Sequence, residues 1–196
     1  MKEYFDGILK TVKDSVDSLD YGRFEALARE CVNAINRGKK VVVSGLGKNV
    51  PVCDKFVGTM NSLGLPAVFM NTNSAVHGDI GMVSEGDVVI ILTKSGETCE
   101  SVYLETLLEK RNCIIWLLSF VETSTLTNKL NERCLILSLN NEGDKWNIVP
   151  NNSTTVNLIV LQGLAMEIAD RQGVTLADFK KNHPGGHIGV QLKDVG

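Results

Sequence analysis

At 196 residues, 43% of them hydrophobic and 22% charged, the chain has the length and composition of one globular domain with a sizeable core. Its net charge of −3 and pI near 5.6 argue against a nucleic-acid or anionic-membrane partner. No apolar run is long enough to span a bilayer, and Met1-Lys2-Glu3-Tyr4-Phe5-Asp6 lacks the apolar core of a signal peptide, so no membrane association is expected. Five scattered cysteines, Cys31, Cys53, Cys99, Cys113 and Cys134, form no CxxC pair. They support neither a zinc site nor a disulfide framework, and a reducing cytoplasm is the expected compartment.

The chain opens with helical spacing from Tyr4 to Leu19. A second helix begins near Tyr21 or Gly22, carries Phe24, Leu27, Ala28, Cys31, Val32 and Ile35, and has Gly38 as its stop. A first short apolar run, Val41-Val42-Val43, is followed by helical spacing from Asn49 to Leu63 with Val52, Phe56, Val57, Met60 and Leu63. Further runs are Pro66 to Met70, Val88 to Leu92, Cys113 to Leu118 and Cys134 to Leu139, with a helix from Glu97 to Arg111 between the third and fourth. The runs are rich in β-branched residues and do not alternate with polar ones, as strands buried on both faces do not. Strand–helix alternation predicts an α/β protein with a parallel sheet covered by helices. From Ser153 to Gln172 runs a helix apolar nearly all round, a pattern that asks for burial on more than one side and suggests oligomer contact. A long helical pattern then closes on Asn182-His183-Pro184-Gly185-Gly186-His187-Ile188-Gly189. With no repeat and no linker, one domain is expected, with the helices of 1–38 packed on residues 39–192.

Ligands of open α/β sheets sit outside the carboxyl ends of the strands. Three loops leave such ends with suitable chemistry. Ser44-Gly45-Leu46-Gly47-Lys48-Asn49 offers a tight turn, a helix N-terminus and a cation, but neither the spacing of a nucleotide-triphosphate loop nor GxGxxG. Thr93-Lys94-Ser95-Gly96-Glu97-Thr98-Cys99-Glu100 offers hydroxyls around a glycine where a helix begins, suited to a phosphate monoester. Its plainer reading is a helix cap by Ser95 or Thr98, with Glu97 and Glu100 favoured by the helix dipole. Asn140 to Thr155 is long for a strand-to-helix connection and holds Glu142 near the strand end. Asn152, Ser153 and Thr154 can cap the helix that follows. The histidines His77, His183 and His187 match no local metal motif, and neither metal nor cofactor is expected.

Gly45-Leu46-Gly47-Lys48, Ala75-Val76-His77-Gly78-Asp79-Ile80-Gly81-Met82, Ser95-Gly96-Glu97-Thr98, Ser153-Thr154-Thr155 and His183-Pro184-Gly185-Gly186 occur in one order. In this the chain, from about Lys39 to Leu192, resembles the sugar isomerase (SIS) domain family, and within it the arabinose 5-phosphate isomerases. The resemblance implies a three-layer α-β-α sandwich with a five-stranded parallel sheet, usually assembled as a tetramer. It implies interconversion of D-arabinose 5-phosphate and D-ribulose 5-phosphate. It places the active-site lysine on Lys48, two glutamates on Glu100 and Glu142, and a histidine on His183, with His77 near the site. Phosphate-holding hydroxyls fall on Ser95 and Thr98, with Thr93 and Ser153 beside them. Ser44, Gly45, Gly47 and Gly96 complete the expected substrate-binding set.

Isomerisation removes a proton from the carbon next to a carbonyl and returns one to the neighbouring carbonyl carbon, a transfer that a carboxylate can shuttle through an enediol while a cation steadies the oxyanion. Glu142 is taken as the leading shuttle, with Glu100 and His183 for hydroxyl protons and Lys48 as the cation. The chain departs from the family pattern at Asn49 (usually serine), at Thr93-Lys94 (usually serine and asparagine) and at Gly143-Asp144-Lys145-Trp146, which would lie over the sugar. Many members carry a CBS pair after the SIS domain; the chain is expected to be a stand-alone form or a truncation before it. An isomerase of another phosphosugar is the alternative. So is a non-catalytic phosphosugar sensor, against which stand the acid–base residues and the lack of a helix-turn-helix segment. The expected partners are a small-molecule sugar phosphate and further copies of the chain sharing active sites.

Overall fold

The computed structural model of the chain describes residues 1–193. Two helices, α1 (Lys2–Asp17) and α2 (Tyr21–Asn36), precede β1 (Val41–Gly45) and α3 (Asn49–Ser62). Then come β2 (Ala67–Asn71), the single turn α4 (Thr72–Ala75), β3 (Val88–Leu92), α5 (Cys99–Leu108), β4 (Ile114–Ser119), α6 (Thr125–Leu130) and β5 (Cys134–Ile136). The helices α7 (Asn152–Arg171), α8 (Leu176–Lys181) and α9 (Gly186–Gln191) complete the described chain.

All strand pairs are parallel and the order is β2-β1-β3-β4-β5. Side chains alternate between the two faces of a strand, and here both sets are apolar. Val41, Val43, Val88, Ile90, Leu92, Trp116 and Leu118 pack on one side with residues of α1, α2, α3 and α7. Val42, Val89, Ile91, Ile115 and Leu117 pack on the other with residues of α4, α5 and α6. That is the three-layer α-β-α sandwich expected from the sequence.

The long buried helix is explained within the chain. α7 packs against α1, α2 and α3, which cover Val156, Val160, Leu161, Leu164, Ala165 and Ile168. Only Ile159 and Met166 among its large apolar residues stay exposed. Most of its all-round apolarity is therefore satisfied without a second copy.

Several boundaries shift by a few residues from the sequence reading, as for α5, which spans Cys99–Leu108 rather than Glu97 to Arg111, and two differences have a structural cause. β5 ends at Ile136, although Leu137 is buried and its N–H still donates to Ser119 O at 3.0 Å. Beyond it the chain turns onto α1, where Ser18 Oγ receives the Ser138 N–H at 3.1 Å. The expected closing helix is also not continuous. α7 stops at Arg171, α8 starts afresh at a Thr175–Asp178 capping box, and the glycines after Pro184 open α9 rather than end a helix. The turns α4 and α6 were not read, being too short for a 3.6-residue period to show.

The chain leaves β1 towards β2 at one edge, then returns to β3 and continues to β5 at the other. The helices after β1 and β3 lie on opposite faces, since Val52, Phe56 and Met60 of α3 join one core and Leu104 and Leu108 of α5 the other. The loops after β1 and β3 therefore diverge and leave a crevice at the carboxyl ends of the strands, where such sheets bind ligands.

Candidate active site

The loop after β1 forms one wall of that crevice. Gly45 is packed so closely that a Cβ would lie 2.9 Å from Asn49 Cβ and 3.2 Å from Cys53 Sγ, so it lets α3 start directly against the strand. Ser44 is buried beneath the loop, its hydroxyl 2.9 Å from that of Thr72. Gly47, at φ +55°, turns the chain so that Lys48 stands exposed at the head of α3.

The opposite wall is the loop after β3. Gly96 has φ +66°, and a Cβ there would fall 2.1 Å from Ser124 Oγ. Any side chain would break both the left-handed turn and the contact with α6. Glu97 is not placed for its own helix dipole. Its carboxylate accepts the Thr125 N–H at 2.6 Å and the Thr125 hydroxyl at 2.8 Å, capping α6 instead. Ser95 Oγ receives the Glu97 N–H at 3.2 Å, and the hydroxyls of buried Thr93 and of Thr98 lie 3.2 Å apart. Neither Ser95 nor Thr98 caps α5, whose N-cap residue Thr98 makes no side-chain capping bond. The first amides of α5 thus remain available to an anion beside three hydroxyls.

The third wall is the head of α7, and it carries the most unusual side chain of the site. Glu142 is fully buried. Its Oε2 accepts the N–H groups of Asn151, at 3.1 Å, and Ser153, at 3.0 Å, so the carboxylate sits on the positive end of a 20-residue helix. Lys94 Nζ approaches Oε1 at 2.6 Å, off hydrogen-bond alignment, so Oε1 has a cation beside it but no hydrogen bond. Burial alone would push this carboxyl up. The Lys94 ammonium, together with the amide and hydroxyl of Ser153, outweighs burial and holds it below the usual carboxylate range. Asn157, one turn deeper in α7, donates its Nδ2 to Asn49 Oδ1 at 3.1 Å and leaves its buried Oδ1 unpartnered.

These walls enclose a cavity of 220 Å³ lined by Gly47, Lys48, Lys94, Ser153, Thr154 and Asn157, among others. A neighbouring cavity of 310 Å³ shares Lys94 and adds Ser95, Asn140 and Asn147. A larger one, 580 Å³, lies by β5, where the Arg23 guanidinium is already bonded to the carbonyls of Asn131 and Cys134. The residues suited to binding an anion therefore gather at the crossover and not in that larger cavity.

Of the residues singled out in the sequence, Gly47, Lys48 and Ser153 line one cavity, and Ser95 lines its neighbour. Thr93, Gly96 and Thr98 build the same loop, and Glu142 anchors the third wall. Glu100 is exposed on the first turn of α5, and His77 is exposed in the turn after α4. His183 is not brought to the crevice. Its ring stacks on Phe179, centroids 3.9 Å apart, with Nδ1 2.9 Å from Phe179 O. Neighbouring Asn182 donates to Ser62 O at the far end of α3. α3 begins at the crevice and is 14 residues long, so His183 stands about 20 Å away, at the amino end of the sheet. Asn157 was missed because it lies inside an apolar helix; a lone amide between Val156 and Leu158 was the available signal. Lys94 stood out only as a departure from the family pattern.

A family model described as SIS domain matches residues 34–166. Among curated proteins, the chain is 34% identical over 180 residues to arabinose 5-phosphate isomerase KdsD of Pseudomonas aeruginosa, covering 92% of this chain and 55% of that protein. It is 31% identical over 185 residues to KdsD of Yersinia pestis, covering 94% and 56%. The chain spans about half the length of the curated relatives it matches. Among solved structures, it superposes on an Escherichia coli CFT073 protein in complex with arabinose 5-phosphate, with TM-score 0.82 and 30% identity, covering 93% of this chain and 95% of the other. A Bacteroides fragilis protein assigned as a phosphosugar isomerase involved in capsule formation superposes with TM-score 0.87 and 27% identity, covering 95% and 99%.

The seat of Glu142 has a measurable consequence. A carboxyl whose folded pKa lies below its unfolded value of about 4.3 stabilises the fold above that pH and loses the contribution as pH falls through the folded pKa. Glu142→Gln should lower the urea midpoint at neutral pH, and the gap to the unsubstituted protein should narrow progressively below about pH 4.3. A gap that stays constant from neutral to acid pH would contradict an anion held on the head of α7.

Proposed function

This chain belongs to the SIS domain family, and from that premise we propose that it is an aldose–ketose isomerase of phosphosugars acting on D-arabinose 5-phosphate and D-ribulose 5-phosphate. The observation that carries the reading is the buried carboxylate of Glu142 paired with Lys94, a lysine that with Lys48 lines the cavity at the crossover of the sheet. A sensor needs to hold the phosphate. It has no use for a carboxylate withdrawn from solvent and paired with a lysine of that cavity. The choice of pentose is supported by the KdsD relatives and by the likeness to the Escherichia coli protein in complex with arabinose 5-phosphate.

In this reading the phosphate lies on the amides at the head of α5, with Ser95 and Thr98 as hydroxyl donors and Thr93 behind them. The aldose carbonyl, at C1, then faces Lys48. Glu142 removes the proton from C2 as the C1 oxygen gains electron density, which the Lys48 ammonium stabilises. The C1 oxygen takes up a proton to give the enediol, whose C2 hydroxyl loses its proton as Glu142 returns the carried proton to C1, giving the ketose. Glu100 and His183 handle the hydroxyl protons. Every step moves protons only. His183 is about a helix length from the crevice of its own chain, so the proposal assigns it to the crevice of a neighbouring subunit in a dimer or tetramer. A cytoplasmic location accords with a phosphorylated metabolite as substrate.

In deuterated water the protein should convert D-ribulose 5-phosphate to the aldose, with deuterium entering C2 as the proton carried on Glu142 exchanges with solvent. Glu142→Gln should reduce kcat by about 10²-fold or more, a general base's usual contribution, and Glu100→Gln by less. Binding without turnover would replace the isomerase by the sensor, and a larger loss at Glu100 would reverse the two carboxylates. Lys48→Ala and His183→Ala proteins, each inactive alone, should recover activity when mixed and allowed to exchange subunits. A mixture that exchanges subunits and stays inactive would place His183 outside a shared site.

A further inference from the structure

Lys94 is the residue for which the isomerase reading has so far given no role. Its backbone is fixed: Lys94 O accepts both the Ser119 hydroxyl, at 3.1 Å, and the Phe120 N–H, at 3.2 Å, from the end of β4. Its side chain is 47% exposed and lies between the two cavities, bordering Lys48 and Ser153 in one and Ser95 in the other. Among the described residues its ion-pair partner is the Oε1 of Glu142.

We propose that Lys94 is a positioning residue that holds the buried Glu142 carboxylate in an ion pair and releases it as a base when the substrate phosphate draws the ammonium to the Ser95 side. The inference rests on the phosphosugar reading and gives that site a substrate-triggered base. A phosphate monoester carries a charge of about −1.5 to −2 near neutral pH, more than a carboxylate can offer the same ammonium. Lys94 directly precedes Ser95, so the rival anion would arrive within reach of its flexible stem. Once the ammonium leaves, the burial of Glu142 is opposed only by the two amides and the hydroxyl at the head of α7, and its affinity for a proton rises.

The other groups around Glu142 leave Lys94 as the switch. From the loop after β1, Lys48 borders the same cavity and is assigned to the sugar oxyanion. Within its own loop, the Asp144 carboxylate is turned onto the amides of Trp146, Ile148 and Val149, and the Lys145 ammonium lies over the Trp146 ring at 4.3 Å. From α1, two uncharged side chains reach this loop, Ile8 beside Gly143 and Thr11 bonded to Asn141.

The test reads the Glu142 carboxyl carbon by NMR in the intact protein, assigned by its loss in Glu142→Gln, and titrates it with and without inorganic phosphate. Lys94→Gln should raise its midpoint by about 1–3 pH units, the usual effect of removing an opposite charge at this distance. Phosphate should raise the midpoint of the unsubstituted protein, and of Lys94→Arg, by clearly more than that of Lys94→Gln. An equal phosphate shift in all three proteins, or none in the unsubstituted one, would overturn the switch, as would a Lys94→Gln midpoint unchanged without phosphate. These readouts need no turnover. An absent isomerase activity with an intact phosphate response would count against the catalytic reading and leave the switch standing.

Discussion

Five parallel strands with apolar residues on both faces can be buried only between two layers of helices, and that constraint organises the molecule. Val41 and Val43 require cover on one side and Val42 on the other. The connections must therefore divide between the faces, and with the order β2-β1-β3-β4-β5 they part between β1 and β3. Lys48, Lys94 and Ser95 stand on the two loops that separate there. α7, buried among α1, α2 and α3, brings its positive end and the Glu142 carboxylate to the same place. The site is thus a product of how the core is covered.

Glu142 shows how stability and function meet in one side chain. A buried carboxylate is costly unless neighbours compensate for lost hydration. Two amides at a helix head and an ammonium provide that compensation, and the same groups make the carboxylate a poor base while all of them are in place. The head of α7 cannot move without disturbing the core. The ammonium can, because it ends a half-exposed stem. The buried Oδ1 of Asn157, a residue that lines this cavity, has no hydrogen-bond partner among the described residues, as expected where a ligand supplies the missing donor.

Much of this was legible in the sequence. Val88 to Leu92 is a strand with the boundaries its β-branched run announced, and the alternation of such runs with helical spacing indicated the layered sheet. The glycines at 45, 47 and 96 marked the two loops of the crevice, since each has a conformation or a close approach that excludes a side chain. What stayed hidden depends on contacts between distant segments. Glu97 looked like a partner for its own helix dipole and instead caps α6, because Gly96 lets the two turns touch. The ion pair of Lys94 with Glu142 leaves no trace in local pattern, as neither residue lies near the other in the chain. Nor does spacing reveal which end of the sheet a C-terminal segment reaches: the Asn182 bond to Ser62 sets that for His183.

If a phosphosugar binds in the crevice between the loops after β1 and β3, titration with D-arabinose 5-phosphate should move the amide chemical shifts of Gly47, Lys48, Ser95 to Glu100 and Asn151 to Ser153 more than any others. Changes concentrated instead around Arg23, Asn131 and Cys134 at the edge of the sheet would contradict binding in the crevice.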